Sequence, residues 1–252
     1  MDNYIIIPAR LNSGRLPRKA LFPINGIPMI VRVWEQACKV RGARVVVATD
    51  SSEIELTAKD AGANVILTGE HRNGMERCAE AARTLNIPPD STVLCLQGDM
   101  PYVSPDLCSI LLTQVHFMVR CEPTILTAAV RMGGSPSTDP DLVKVVMNNH
   151  QQALYFSRLP IPCGAVGGWH KHLGLYCMKN HLLQHYSKLS ITDLEQQEGL
   201  EQLRLLYRGH SIRVYITSED CLSVNNKFDC EKIDPSLISW PYESGAVTGH
   251  VI

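Results

Sequence analysis

Short, unbroken apolar runs alternate with segments of helical periodicity through the first half of the chain. A mostly parallel sheet covered by helices on both faces is the arrangement that buries such runs. Ile5-Ile6-Ile7 reads as a buried strand that stops at Pro8, and Pro28 opens a helix whose apolar positions Ile30, Val33, Trp34 and Ala37 recur at helical spacing. Arg44 to Ala48 is the next strand; Ser52 and Glu55 then form a capping-box pattern, with Gly62 as a helix stop. Val65-Ile66-Leu67 reads as strand, Met75 to Leu85 as helix and Thr92 to Leu96 as strand, and Ser104-Pro105 has the chemistry to start another helix. Ligands of such sheets bind at the carboxyl ends of the strands, which directs attention to the loops after Ile7, Ala48 and Leu96.

The second half is less regular. Thr124 to Val130, Val143 to Met147, Ala153 to Phe156, His172 to Cys177 and Ile212 to Thr217 are strand-like, and one long helix is expected from Asp193 to Tyr207. The expected fold class is α/β, a doubly wound, mostly parallel, Rossmann-like sheet with a strand-rich inserted lobe at about 130–178. Residues 1–234 read as one domain, and the tail 235–252 is unassigned. A chain of 252 residues is long enough for that single unit. With 24 Lys+Arg against 25 Asp+Glu and no basic patch or tail, nucleic acid is not an expected partner. No stretch has the roughly 18 apolar residues of a membrane span, and the start Met1 to Pro8 lacks a basic region ahead of its apolar run, so a cytoplasmic protein is expected. The nine cysteines are scattered with no C-x-x-C pair, and read as small apolar residues in a reducing compartment.

Local charge is more telling than the total. Pro8 to Lys19 places Arg10, Arg15, Arg18 and Lys19, with Ser13 and Gly14, in one loop directly after a buried strand. Backbone amides freed by Gly14 and the cations around them suit a polyphosphate, although the spacing is neither that of a P-loop nor G-x-G-x-x-G. A solvated basic loop is the plain alternative. Asp99, after Gln97-Gly98 at a strand end, is placed for a hard cation that prefers oxygen ligands, or else is a turn former before Pro101. His172 and Tyr176 are evenly spaced on a strand and face one way with Gly174. His170 shares that face, which admits a His170/His172 metal pair without a third ligand nearby. On the expected long helix, Glu198, Glu201 and Gln202 share a face, a like-charge arrangement that a purely structural helix has little reason to adopt.

Ile7-Pro8-Ala9-Arg10 with Ser13, Arg15-Leu16-Pro17 and Lys19 resembles the signature of the sugar nucleotidyltransferases, and within them most closely that of the 3-deoxy-manno-octulosonate cytidylyltransferases, the CMP-Kdo synthetases. Asn25 to Ile30, Val47 to Asp50, Gly74 to Arg77, Leu96 to Asp99, Tyr155 to Arg158, His172 to Tyr176 and Leu200 to Arg204 resemble the same family in the same order, over roughly residues 4–230. The resemblance implies a cytidylyltransferase of lipopolysaccharide biosynthesis that moves CMP from CTP to the anomeric hydroxyl of an acidic 3-deoxy sugar with magnesium, releases pyrophosphate, and works as a homodimer with 150–178 as candidate interface. It further implies that Arg10, Ser13, Arg15 and Lys19 hold the triphosphate, with Ala9, Asn73, Gly74 and Gln97 at the nucleotide. Arg10, Lys19 and Asp99 would be catalytic, and Asp99 and Asn225 would serve the metal. Gln97, Arg158, His172, Tyr176, Glu201 and Gln202 would hold the sugar. Two positions depart from the family pattern: Met100-Pro101 stands where Glu-Pro usually follows the aspartate, and Val224-Asn225-Asn226 stands where Val-Asp-Thr-Pro is usual. A different acidic acceptor (8-amino-Kdo or sialic-acid-like), a sugar 1-phosphate, or a weakly active nucleotide-binding homologue are the alternatives.

Overall fold

The computed structural model describes residues 2–12, 14, 16–118, 125–226 and 229. Strand β1 (Asn3–Ala9) is followed by a 3-10 turn (Lys19–Leu21), a small hairpin of β2 (Pro23–Ile24) and β3 (Ile27–Pro28), and helix α1 (Met29–Cys38). The alternation continues with β4 (Ala43–Thr49), α2 (Ser52–Asp60), β5 (Asn64–Leu67), α3 (Gly74–Thr84), β6 (Thr92–Cys95) and α4 (Pro105–Met118). Then come β7 (Ile125–Met132), β8 (Lys144–Met147), β9 (Ala153–Ser157), β10 (Trp169–Lys179), α5 (Asn180–Tyr186), α6 (Asp193–Glu198), α7 (Leu203–Tyr207) and β11 (Ile212–Thr217).

The main sheet has the order β11-β7-β10-β6-β1-β4-β5. Strands β6, β1, β4 and β5 are parallel, β11 is parallel to β7, and β10 runs antiparallel between β7 and β6. The expected class, a doubly wound and mostly parallel α/β sheet, is the one observed. Alternation along β1 explains the double winding: Ile5 and Ile7 pack with Ile30, Val33, Ile54 and Leu111 on one face, while Tyr4 and Ile6 pack with Met75, Cys78, Ala82 and Leu203 on the other. Strands β7 and β10 belong to this sheet, and β8 and β9 form the ribbon that leaves it. Among the described residues no helix is long and apolar enough to cross a membrane.

Three local expectations are corrected. Strand β1 does not stop at Pro8 but runs to Ala9. Its register with β6 ends at Ile6, so Pro8, which has no N–H to give, lies where one neighbour has already departed. The cap of α2 is Ser51, whose hydroxyl accepts from the Ile54 amide, and not Ser52. The long helix expected from Asp193 to Tyr207 is two short ones, because Gly199 adopts a left-handed φ of 62° and closes α6. Glu198 therefore shares no helical face with Glu201 and Gln202. Its carboxylate instead accepts from Tyr155, Ser157 and the Arg158 amide.

Candidate active site

The carboxyl ends of β1 and β6 frame a cavity of about 320 Å³ whose lining includes Ala9, Arg10, Lys19, Gly74, Asp99 and Asn225. Gly98 sets the closeness of its floor, since a Cβ there would stand 2.8 Å from the Pro8 carbonyl oxygen. Lys19, carried by the 3-10 turn, donates to Asp99 Oδ2 at 2.5 Å and to Asn225 Oδ1 at 3.4 Å. The late segment reaches this point because the Val224 amide donates to the Asp99 carbonyl at 2.8 Å. A reciprocal cap then fixes Asn225: Asp229 Oδ2 accepts from the Asn225 and Asn226 amides, and Asn226 Oδ1 accepts from the Asp229 amide. Asp99 and Asn225 thus present oxygen donors to one space, the donor type a hard divalent cation takes alongside phosphate oxygens.

A second cavity of about 480 Å³ continues from the first and shares Arg10, Arg72, Asn73, Gln97, Asp99 and Asn225 with it. Its far wall contains Arg158, His172, Gly174, Tyr176, Glu201 and Gln202. Gly174 has a φ of 72° where the register of β10 shifts, and the His172 and Tyr176 rings still come together, with centroids 5.6 Å apart. Two adjoining chambers at strand carboxyl ends, the first rich in cations and amides and the second adding hydroxyl, imidazole and carboxyl groups beside Arg158 and apolar side chains, suit a phosphorylated donor and a hydroxylated acceptor.

Residues 4–212 match the family model described as cytidylyltransferase. The 3-deoxy-manno-octulosonate cytidylyltransferase of Chlorobium limicola is 42% identical over 245 residues, covering 92% of this chain and 96% of that protein. The chain belongs to the cytidylyltransferase family. It is accordingly a nucleotidyltransferase. The 3-deoxy-manno-octulosonate cytidylyltransferase of Neisseria meningitidis serogroup C is 37% identical over 244 residues, 91% of this chain and 95% of that protein. A solved structure of CMP:2-keto-3-deoxy-manno-octonic acid synthetase complexed with CTP superposes with a TM-score of 0.82 at 36% identity, covering 92% of this chain and 97% of that one.

In this cytidylyltransferase burial shifts the titration of three groups on the wall of the second cavity. Glu201 Oε2 accepts from the Met75 amide at 2.9 Å and Oε1 from Gln97 Nε2 at 3.2 Å. Burial pushes its carboxyl up to about 7, the Met75 N–H opposing and the Glu195 carboxylate adding to the shift. His172 Nε2 is 2.8 Å from Thr127 Oγ1, and that hydroxyl spends its proton on the Leu175 carbonyl at 2.5 Å. Nε2 must then be the donor, which leaves Nδ1 as a bare acceptor. Burial lowers the imidazole to about 3, so it stays neutral. The Tyr176 hydroxyl donates to Gln202 Oε1 at 2.8 Å, and burial keeps the phenol well above its ordinary range.

Other expected site residues are tied into the protein itself. Arg158 donates to the carbonyls of Glu198, Pro140 and Gly199 through Nε, Nη1 and Nη2, while each Nη retains a second N–H. Both ends of the Asn73 side chain are committed, Oδ1 capping α3 at the Glu76 amide and Nδ2 donating to the Tyr186 hydroxyl. Ser13 and Arg15, and the tail after Asp234, lie outside the described residues. Among the described residues no group of three or more His, Cys, Asp or Glu side chains is arranged for a metal, so the His170/His172 pair gains no further ligand.

The loop after β5 also reaches the cavity, through His71 and Arg72, and Arg77 of α3 lines it while held by Asp50 and Thr68. Of this connection only Asn73 and Gly74 are expected from the sequence; His71 and Arg72 are additions from the structure, and the signal for them is that Val65 to Leu67 reads as a strand whose carboxyl end obeys the same rule as the others.

Proposed function

We propose that the protein transfers CMP from CTP to the anomeric hydroxyl of 3-deoxy-manno-octulosonate, releasing pyrophosphate. The observation that carries this reading is the continuity of the two cavities, with Gln97, Asp99 and Asn225 common to both. Relatives that bear the name 3-deoxy-manno-octulosonate cytidylyltransferase over more than nine-tenths of their length support it. Arg10 and Lys19, with Ser13 and Arg15 of the same loop, hold the triphosphate, and Ala9, Gly74 and Gln97 border the nucleotide. The acidic sugar takes the chamber of Arg158, His172, Tyr176, Glu201 and Gln202. Its carboxylate meets the remaining Arg158 N–H groups and its hydroxyls meet the neutral His172, Glu201 and Gln202.

The anomeric oxygen attacks the α-phosphorus in line, forming the new P–O bond as the bond to pyrophosphate breaks, and the hydroxyl proton is released to solvent. The protein contributes position and charge: Lys19 and Arg10 meet the negative charge that gathers on the departing oxygens. Asp99 and Asn225 are the residues that would hold a divalent cation, and magnesium is the ion proposed because it is commonly held by one or two protein oxygens together with substrate phosphates. When bound, such an ion supplies Lewis-acid stabilisation of phosphate charge. Pyrophosphate release from CTP on addition of the sugar acid tests the reaction; CTP binding without turnover for any acceptor would refute it.

Asn225 favours a second reading, a nucleotide-binding homologue of weak activity, because an amide gives the metal an oxygen without a charge. Comparing turnover with CTP binding separates the two. A homodimer built on residues 150–178, within one domain spanning 1–234 and working in the cytoplasm, accompanies the first reading. Leu154, Leu159 and Val166 are exposed apolar side chains in that stretch. Light scattering on the purified chain tests the dimer.

A further inference from the structure

Arg204, in α7, is only 1% exposed and lines neither cavity. Its Nε and Nη2 donate to the two oxygens of Glu195 at 2.7 and 2.6 Å, and Nη2 also donates to Glu76 Oε1 at 2.8 Å. The guanidinium carbon stands 4.5 Å from the centroid of the Tyr186 ring. That tyrosine's hydroxyl accepts from Asn73 Nδ2 at 2.9 Å, and Asn73 Oδ1 accepts from the Glu76 amide at 2.9 Å. Asn73, Tyr186, Arg204 and Glu76 therefore close a ring of contacts that joins the start of α3 to α5 and α7. A second tie runs beside it, from Glu201, three residues before Arg204, to the Met75 amide at 2.9 Å.

The ring stands between the two cavities. Asn73 borders both, Gly74 beside it borders only the one that contains Lys19, and Glu195, which Arg204 holds, lines only the second, with Glu201 and Gln202. We infer that Arg204 is a positioning residue that holds the nucleotide rim and the acceptor rim in one fixed relation; this rests on the transfer reaction proposed above. Stability alone gives little reason for the arrangement, because apolar residues of similar volume often replace a buried ionic cluster without loss. What the planar fork supplies is geometry: it meets Glu195 with two donors, Glu76 with another and Tyr186 with its face, which an ammonium cannot do at once. The α-phosphorus and the attacking hydroxyl come from opposite sides of the joint, so a loosened joint is felt in the binding of both substrates.

Steady-state kinetics on Arg204→Met, Arg204→Lys and Glu76→Gln test this. Arg204→Met is expected to raise KM for CTP and for the sugar acid by roughly tenfold or more each, in keeping with the cost of about 10²-fold that a 1 Å misplacement remote from the chemistry can carry. Arg204→Lys should recover only part of the loss. Glu76→Gln is the sharper probe, since Glu76 sits on the nucleotide-side helix and is expected to raise KM for the acceptor across the joint. Should Arg204→Met fail to fold, Glu76→Gln decides. Folded variants that keep both KM values within about twofold of the parent, or that lose melting temperature alone, would overturn the inference. Turnover by the unmodified protein tests the reaction itself. Were there none, calorimetric CTP binding still decides: a dissociation constant weakened roughly tenfold in Arg204→Met supports the positioning role, and one unchanged within about twofold overturns it.

Discussion

Lys19 Nζ donates to Asp99 Oδ2 at 2.5 Å across 80 positions of sequence, and this contact joins the basic loop after β1 to the acidic end of β6. Two parallel strands that lie side by side bring the partners together, and both side chains remain partly open to the cleft. An ion pair at such a surface contributes about 0–1 kcal/mol, so its place at the mouth of the site is better explained by chemistry than by stability. Asp99→Ala is accordingly expected to leave circular dichroism and melting close to the parent while lowering kcat by roughly a hundred- to a thousandfold. Retained turnover in a folded variant would remove Asp99 from the reaction.

Asn225 stands beside that pair as an amide, with Oδ1 3.4 Å from Lys19 Nζ. Its backbone is fixed by Asp229, so Asn225→Asp changes charge with little change of position. One added negative charge near a divalent ion is expected to tighten the apparent magnesium constant by roughly tenfold, a modest share of the about 4 kcal/mol that two unit charges 4 Å apart exchange at an effective dielectric of 20. Metal titrations of turnover and of direct manganese binding check it. Coincident curves for the two proteins would place residue 225 away from the ion.

Glu201 gives the stability a pH dependence of predictable sign. Its carboxyl lies at about 7 in the folded protein against an ordinary 4.5, so between those values the folded chain holds a proton that the unfolded chain has lost. Stability from this group is full below pH 4.5 and declines as pH rises through 7. The ceiling is about 3 kcal/mol at 1.36 kcal/mol per pKa unit, and solvent in the cleft, to which Glu201 is partly open, brings the loss below that ceiling. Urea midpoints at pH 5 and pH 8 should therefore differ less in Glu201→Gln than in the parent. Equal pH slopes in both would show that the site does not penalise the ionised carboxylate.

How much of this was legible in the sequence depends on whether the signal was local. Ile5 to Ile7 and Val45 to Val47 announce buried parallel strands because both of their faces are covered, and no register knowledge is needed. Looking for Asp99 and for the basic loop that carries Lys19 beyond the carboxyl ends of strands follows from the ligand-binding rule for such sheets. Glu198 illustrates the opposite case: its spacing to Glu201 and Gln202 fits one helical face, yet the single Gly199 in a left-handed conformation turns that face away. A glycine inside an apolar-periodic segment is ambiguous until packing decides whether it ends the helix. The antiparallel insertion of β10 between β6 and β7 was equally hidden, since its apolar pattern records burial on both sides but not which neighbours supply it.

Gly98 shows how backbone proximity, invisible in composition, controls the site. A Cβ at this position would lie 2.8 Å from the Pro8 carbonyl oxygen and 3.4 Å from Ile30 Cδ1. The isoleucine can shift, whereas the carbonyl belongs to the central strand and cannot yield without moving β1. Gly98→Ala is expected to cost about 1–3 kcal/mol as an overpacked contact, and to push Asp99 away from Lys19 so that kcat falls together with stability. Gly133→Ala is the matched control, because nothing lies within 4 Å of a Cβ there, and its stability should stay within about 0.5 kcal/mol of the parent. Urea denaturation of both variants, with initial rates at saturating CTP, measures the difference. Equal behaviour of the two alanines would mean that the β1 and β6 ends tolerate separation, and that the position of Asp99 does not depend on their close approach.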